Sequence, residues 1–134
     1  MGGHYRHCLD HFTSLRRGLE AGLINYDRRD RDPEVETEPD VALRLTRDLR
    51  QWLERLPAAG FDRTLRVRCE VSYHEGRAPE MTSTFGRELA YGVAHAIHHY
   101  ALMAIMARLM DVALPDTFGV APSTVAHQRK GRTR

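Results

Sequence analysis

Only two cysteines, Cys8 and Cys69, occur in the 134 residues. They are too few and too ill-spaced for a disulfide framework or a cysteine-based zinc site. No apolar run opens the chain: His4, Arg6 and His7 stand where a secretory signal needs its hydrophobic stretch. Internal repeats and low-complexity tracts are missing too. Residues 89–107 lack Asp, Glu, Lys and Arg, which is long enough for a membrane span. Three histidines, two tyrosines and Gly92 within that stretch argue instead for a helix buried in protein. The expectation is a cytoplasmic protein that does not enter a membrane.

A hydrophobic fraction of 42% with 28% charged residues describes an ordinary globular chain. Its net charge of +2 comes from the end. Residues 127–134 carry Arg129, Lys130, Arg132 and Arg134 and no acid, leaving 16 basic against 18 acidic residues in the remainder. That segment reads as a basic, disordered tail after one domain over residues 1–126. Such a tail is more often a solvated terminus than a nucleic-acid site.

Periodicity predicts three main helices. Phe12, Leu15, Leu19 and Leu23 recur at three- and four-residue steps over residues 3–23, opposite Arg16, Arg17 and Glu20. Residues 25–39 read as a solvated loop: seven acids run from Asp27 to Asp40, with three arginines and two prolines among them. Thr37 and Asp40 have capping-box spacing ahead of a second helix to about residue 56, with Val41, Leu45, Leu49 and Trp52 on one side. Residues 65–73 alternate as a strand does, and residues 74–79 can turn it back onto 81–85 as a small hairpin. Ser83 or Thr84 then caps a third helix with Glu88 in its first turn. It runs to about residue 111 and is apolar nearly all round, so it is expected to be the most buried element. Beyond Pro115 the chain reads as irregular.

Eight histidines are present, six of them in two clusters. His95 and His99, four residues apart on a helix, have Cβ atoms about 5–6 Å apart and can share one ion. His4, His7 and His11 span about 60° of the first helix and adjoin Cys8, Phe12 and Leu15, so at least one should point inward. Aligned histidines on two helices beside apolar packing describe a metal site in a bundle core. The plainer alternative is core histidines satisfied by backbone carbonyls. His98 reads as a packing residue or a neighbour that orients a ligand, His74 and His127 as solvated, and Cys8 as a small packing residue.

His7-Cys-Leu-Asp10 and the His95-x-x-x-His99 pair within Val93-Ala-His-Ala-Ile-His-His-Tyr100 resemble the motifs of the DinB-like superfamily of four-helix-bundle metalloproteins. Gly3 to Phe12, Asn25-Tyr-Asp27, Gly86-Arg-Glu-Leu89 and Phe118-Gly-Val-Ala-Pro-Ser-Thr124 look like an uncharacterised bacterial subgroup of it. The resemblance implies an all-α fold, a four-helix bundle with three main helices present and a small β-hairpin before the last long one. It implies His7, His95 and His99 as ligands of a divalent ion (zinc, nickel or iron) with open positions, His4 being the alternative first ligand. No counterpart of the family's first helix precedes Met1, which would leave an apolar groove for a partner, read as a second copy in a homodimer, or mark a shortened chain. The implied chemistry is thiol S-transfer or isomerisation with a small-molecule thiol whose pKa the ion lowers. No catalytic side chain is singled out; Asp10 and His11 are both open as groups that orient a ligand ring. Two other functions compete: a non-catalytic metal-binding or stress-associated dimerising module, and a metal-free bundle.

Overall fold

A computed structural model of the chain describes residues 1–74 and 78–131. Its first helix, α1 (Gly2–Ala21), turns Cys8, Leu9, Leu15 and Gly18 inward, as the three- and four-residue spacing requires. Gly22 ends it at φ 75°, giving its N–H to the Gly18 carbonyl at 2.8 Å, a left-handed stop that glycine adopts without strain. The reversal sends the chain straight into β1 (Leu23–Asn25), which lies against α1. Contact is close enough that a Cβ added to Gly18 would stand 2.9 Å from Ile24 Cα.

The acidic segment expected to be a loop contains β1's Asn25 and a short helix, α2 (Pro33–Thr37). Asp32 caps α2 by accepting the Glu34 N–H at 2.9 Å, and Val35 is buried. Extended Glu38 precedes α3 (Pro39–Glu54), whose start has no side-chain cap. The Thr37–Asp40 box does not form, because the Thr37 hydroxyl donates to the Pro33 carbonyl. After a 3-10 turn at Ala58–Gly60, β2 (Thr64–Arg68) pairs antiparallel with β3 (Glu80–Thr84), from Thr64↔Thr84 to Arg68↔Glu80. The expected strand thus stops at Arg68, and part of the expected turn, residues 75–77, lies outside the described residues.

On its other edge β2 takes β1 in parallel, Leu23 opposite Arg66, so the sheet is mixed with order β1-β2-β3. This overturns the all-α four-helix-bundle expectation. The sheet is part of the core, where Ile24, Leu65 and Val67 pack with Leu15, Tyr26 and Phe85. A hairpin with one apolar face needs a body to cover it, and here Leu15 and Leu19 of α1 and the Phe85 and Leu89 side chains do so, while β1 extends its edge. Leu9, Val35, Ala42 and Leu49 form a second cluster between α1, α2 and α3, and Trp52 packs against both.

Thr84 caps α4 (Phe85–Leu109), its hydroxyl accepting the Arg87 N–H at 3.3 Å. One face of α4 is buried, through Phe85, Glu88, Gly92, Ala96, Met103 and Ala107. Val93, Ile105 and Leu109 are exposed, which corrects the expectation that a helix apolar nearly all round is the most buried element: the stretch 89–107 lacks charge and is not thereby covered. Phe118 stacks on Tyr100 with ring centres 5.0 Å apart, and the chain then forms α5 (Pro122–Gly131). Residues 127–131, expected in a disordered tail, belong to that helix, although none of it is buried. Among the described residues no helix is long and apolar enough to cross a membrane.

The Gly18–Ile24 contact sets how β1 sits on α1. Gly18→Ala should lower stability by about 1–3 kcal/mol through overpacking, read from urea unfolding; an unchanged midpoint would mean that β1 is held by something else.

Candidate metal centre

Helices α1 and α4 run antiparallel, as the ring contacts show: His4 lies beside His99, His7 beside His95, and His11 beside Tyr91. Phe12 covers Gly92, where an added Cβ would stand 3.6 Å from the ring. The 4, 7, 11 series on α1 therefore faces the 95, 99 pair on α4.

The site closes at three Nε2 atoms. His7 Nε2 is 2.8 Å from His95 Nε2, and His99 Nε2 is 3.2 Å from the same atom. Two nitrogens each about 2.0–2.1 Å from one ion, at about 90–109°, stand about 2.8–3.4 Å apart, so these separations suit a shared ion. Among the described residues, His7, His95 and His99 are the group whose donor atoms all lie within 4.8 Å of one another and could hold a metal ion. Burial, aided by Arg29, holds the His7 imidazole down at about 4. Burial pushes His95 and His99 below their ordinary value as well, with neighbouring imidazoles adding to it. All three are neutral near pH 7, the state that binds metal.

The remaining histidines surround this trio. His4 Nδ1 is 2.9 Å from His99 Nδ1, so His4 stands behind a ligand candidate and fixes its ring. His11 is buried with its ring centre 4.3 Å from that of His95; its Nδ1 has no partner among the described residues, and burial drives its pKa down to about 3. His98 is exposed and touches the His99 ring; His74 and His127 are exposed. Asp10 is bonded to Arg6, which also holds Glu36, so its carboxylate is not on a ligand ring. Cys8 is buried, and burial raises its thiol to about 11, which makes it a packing residue and a poor nucleophile.

Sequence reasoning missed Arg29. Its Nη1 is in hydrogen-bond contact with His7 Nδ1. Arginine can only donate, so in this arrangement Nδ1 accepts and the His7 proton is on Nε2. Presenting the Nε2 lone pair to an ion requires the proton on Nδ1, facing the guanidinium. The two contacts exclude each other. His99 has no such conflict, since its Nδ1–H can donate to His4. Tyr26 and Glu88 were missed as well. Tyr26 donates to Glu88 Oε2 at 2.8 Å and Ser83 to Oε1 at 2.6 Å, which satisfies a buried carboxylate beside the histidines. The one signal for Tyr26 was the Leu23-Ile24 pair before it, too short to have a period.

These side chains border a cavity of about 360 Å³ reaching from His7, His11 and His95 to Val67, Met81 and Tyr91. It gives His7 and His95 an approach from solvent of the size that small ligands use.

Two measurements follow from this geometry. His4→Ala should weaken zinc binding about 10- to 100-fold, as loss of a group that orients a ligand ring does, in competition with a chromogenic chelator; an unchanged affinity would remove His4 from the site. The second concerns acid. His7 and His11 have depressed values when folded, so the unfolded chain takes up protons below about pH 6.5 that the folded, metal-free protein accepts only near 4 and 3. Stability is therefore lost as pH falls through that window. The Tm of metal-free protein should drop between pH 7 and pH 4, and less steeply in His11→Gln; parallel curves would show that His11 is not buried in its neutral form.

Over 108 residues, 81% of its length, the chain is 32% identical to a protein of Rhizopus delemar named FK506-binding protein 5, and it spans 28% of that longer relative. No family model matches the chain, and no solved structure does.

Proposed function

We propose that this chain is a divalent-metal-binding protein of DinB-like type and that its centre serves thiol S-transfer or isomerisation. The observation that carries the reading is the convergence of His7, His95 and His99 Nε2 from two antiparallel helices. Neutral nitrogen donors of this kind suit zinc, nickel or iron, and three of them leave positions for a further molecule. An ion held there supplies Lewis acidity toward a thiol or water, lowering its pKa. His4 orients His99, while burial of His7 and His11 keeps protons off the donor set. Tyr26 and Ser83 hold the Glu88 carboxylate away from it. The thiol chemistry comes from the resemblance of the two histidine motifs, and the cavity beside them offers room for a small thiol.

A second reading has its own support. The histidines can also bond to one another without an ion, His7 Nε2–H donating to the single lone pair of His95 Nε2 at 2.8 Å, with Arg29 on His7 Nδ1. Metal analysis separates the two. Protein refolded with equimolar zinc, nickel or ferrous iron and then dialysed should retain close to one ion per chain by mass spectrometry. The His95→Ala/His99→Ala double variant should lose more than about a hundredfold in affinity, and His74→Ala should match the parent. No retained metal in the parent would leave the hydrogen-bonded histidine cluster as the function of these residues and end the thiol reading.

A further inference from the structure

The cavity beside the trio has an uneven distribution of charge. Two acids border it, and both are engaged. Glu88 has Tyr26 on one oxygen and Ser83 on the other, and Asp27 Oδ2 accepts the Glu70 backbone N–H at 2.8 Å. Two arginines border it as well, and neither Arg29 nor Arg87 has an acid within ion-pair distance among the described residues. Among the described residues the Arg29 side chain has one hydrogen bond, Nη1 to His7, and its Nε is buried without a partner. A half-buried guanidinium without a carboxylate is costly, and its planar fork matches a carboxylate at two points. When His7 turns its Nε2 lone pair toward an ion, its Nδ1–H displaces this one contact and frees the guanidinium beside the cavity. The rest of the wall is apolar, from Val67, Met81 and Tyr91.

We propose that this cavity is a carboxylate subsite: Arg29 takes the acid group of a small organic molecule, Arg87 adds charge at the rim, and Val67, Met81 and Tyr91 receive its apolar body. This names the substrate class of the metal centre and rests on that reading for the word substrate; the subsite itself is built from residues outside the trio. Because Arg29 touches His7, a carboxylate held there lies beside the trio, with the rest of a compact molecule directed toward Val67, Met81 and Tyr91.

Benzoate and its uncharged counterpart benzyl alcohol are the probes, titrated by calorimetry into the full chain, once zinc-loaded and once stripped with a chelator. Benzoate should bind at least tenfold more tightly than benzyl alcohol in both samples. Arg29→Gln should abolish that preference, Arg29→Lys should retain part of it, and Arg44→Gln on exposed α3 should leave it intact. Thermal melts identify any variant that fails to fold, in which case the Arg29→Lys comparison decides. Equal affinity for the two probes overturns the subsite, as does a preference that survives Arg29→Gln. Benzoate binding that needs zinc and ignores Arg29 also overturns it, by putting the carboxylate on the ion. Failure of the metal reading looks different: zinc is not retained, and the chelator-treated protein still discriminates between the probes through Arg29.

Discussion

The antiparallel contact between α1 and α4 is the constraint on which the rest depends. Both helices carry small or slender residues where they meet: Cys8, Gly92 and Ala96 are buried along the contact, and Phe12 covers Gly92. Close approach lets imidazoles from opposite helices reach one another without a loop between them. The register matters as much as the distance. Here the His7 ring lies between those of His95 and His99, 5.0 and 4.6 Å away; sliding one helix by a turn, about 5.4 Å, would take it away from one of them and dissolve the trio. Leu15 and Phe85, both almost fully buried, belong to the core cluster that holds this register beyond the histidines, and Ile24 against Gly18 ties the sheet to the same helix.

Charge around the site is arranged so that histidine, and not carboxylate, is left available. Asp10 and Glu36 share Arg6, Asp30 pairs with Arg17, and Glu88 is held by two hydroxyls. Each pairing withdraws an acid that could otherwise offer oxygen to an ion or a proton to an imidazole. The cavity beside the trio is bordered by neutral nitrogen, phenol and guanidinium, with the carboxylates of Asp27 and Glu88 held in hydrogen bonds. A nitrogen donor set differs from the oxygen donors that calcium and magnesium need.

The helices and the histidine alignment were legible because their information is periodic. Phe12, Leu15 and Leu19 define a face over about two turns, and His4, His7 and His11 follow the same period, so the side on which they lie could be read directly. The sheet was half legible. Leu65 and Val67 alternate with arginines, but Leu23, Ile24 and Asn25 form a strand of three residues, too short to show a period of two. Its partner lies more than forty residues away across a parallel crossover, a pairing that local sequence does not encode. Arg29 was illegible for a different reason. It sits in a run of arginines and acids whose composition is that of a solvated loop, yet α2, packed through buried Val35, together with Asp30 on Arg17 and Asp27 on the Glu70 N–H, keeps that loop against the protein. The exposed side of α4 misled in the opposite direction, since absence of charge says what a face tolerates and not what covers it.

Because the two histidine sets are far apart in the chain, the centre has a place in time as well as in space. His7 and His95 are 88 residues apart, and His4 and His99 are 95. At a synthesis rate of about 5–20 residues per second, α1 leaves the ribosome roughly 4–19 s before α4 can meet it. During that interval the apolar face of α1 has no α4 to cover it, and His7 has neither His95 nor His99 beside it. Docking of α4 brings the three rings together. The donor set is thus completed only at the closing step of folding, and its assembly reports a chain whose first and last long helices have already found each other.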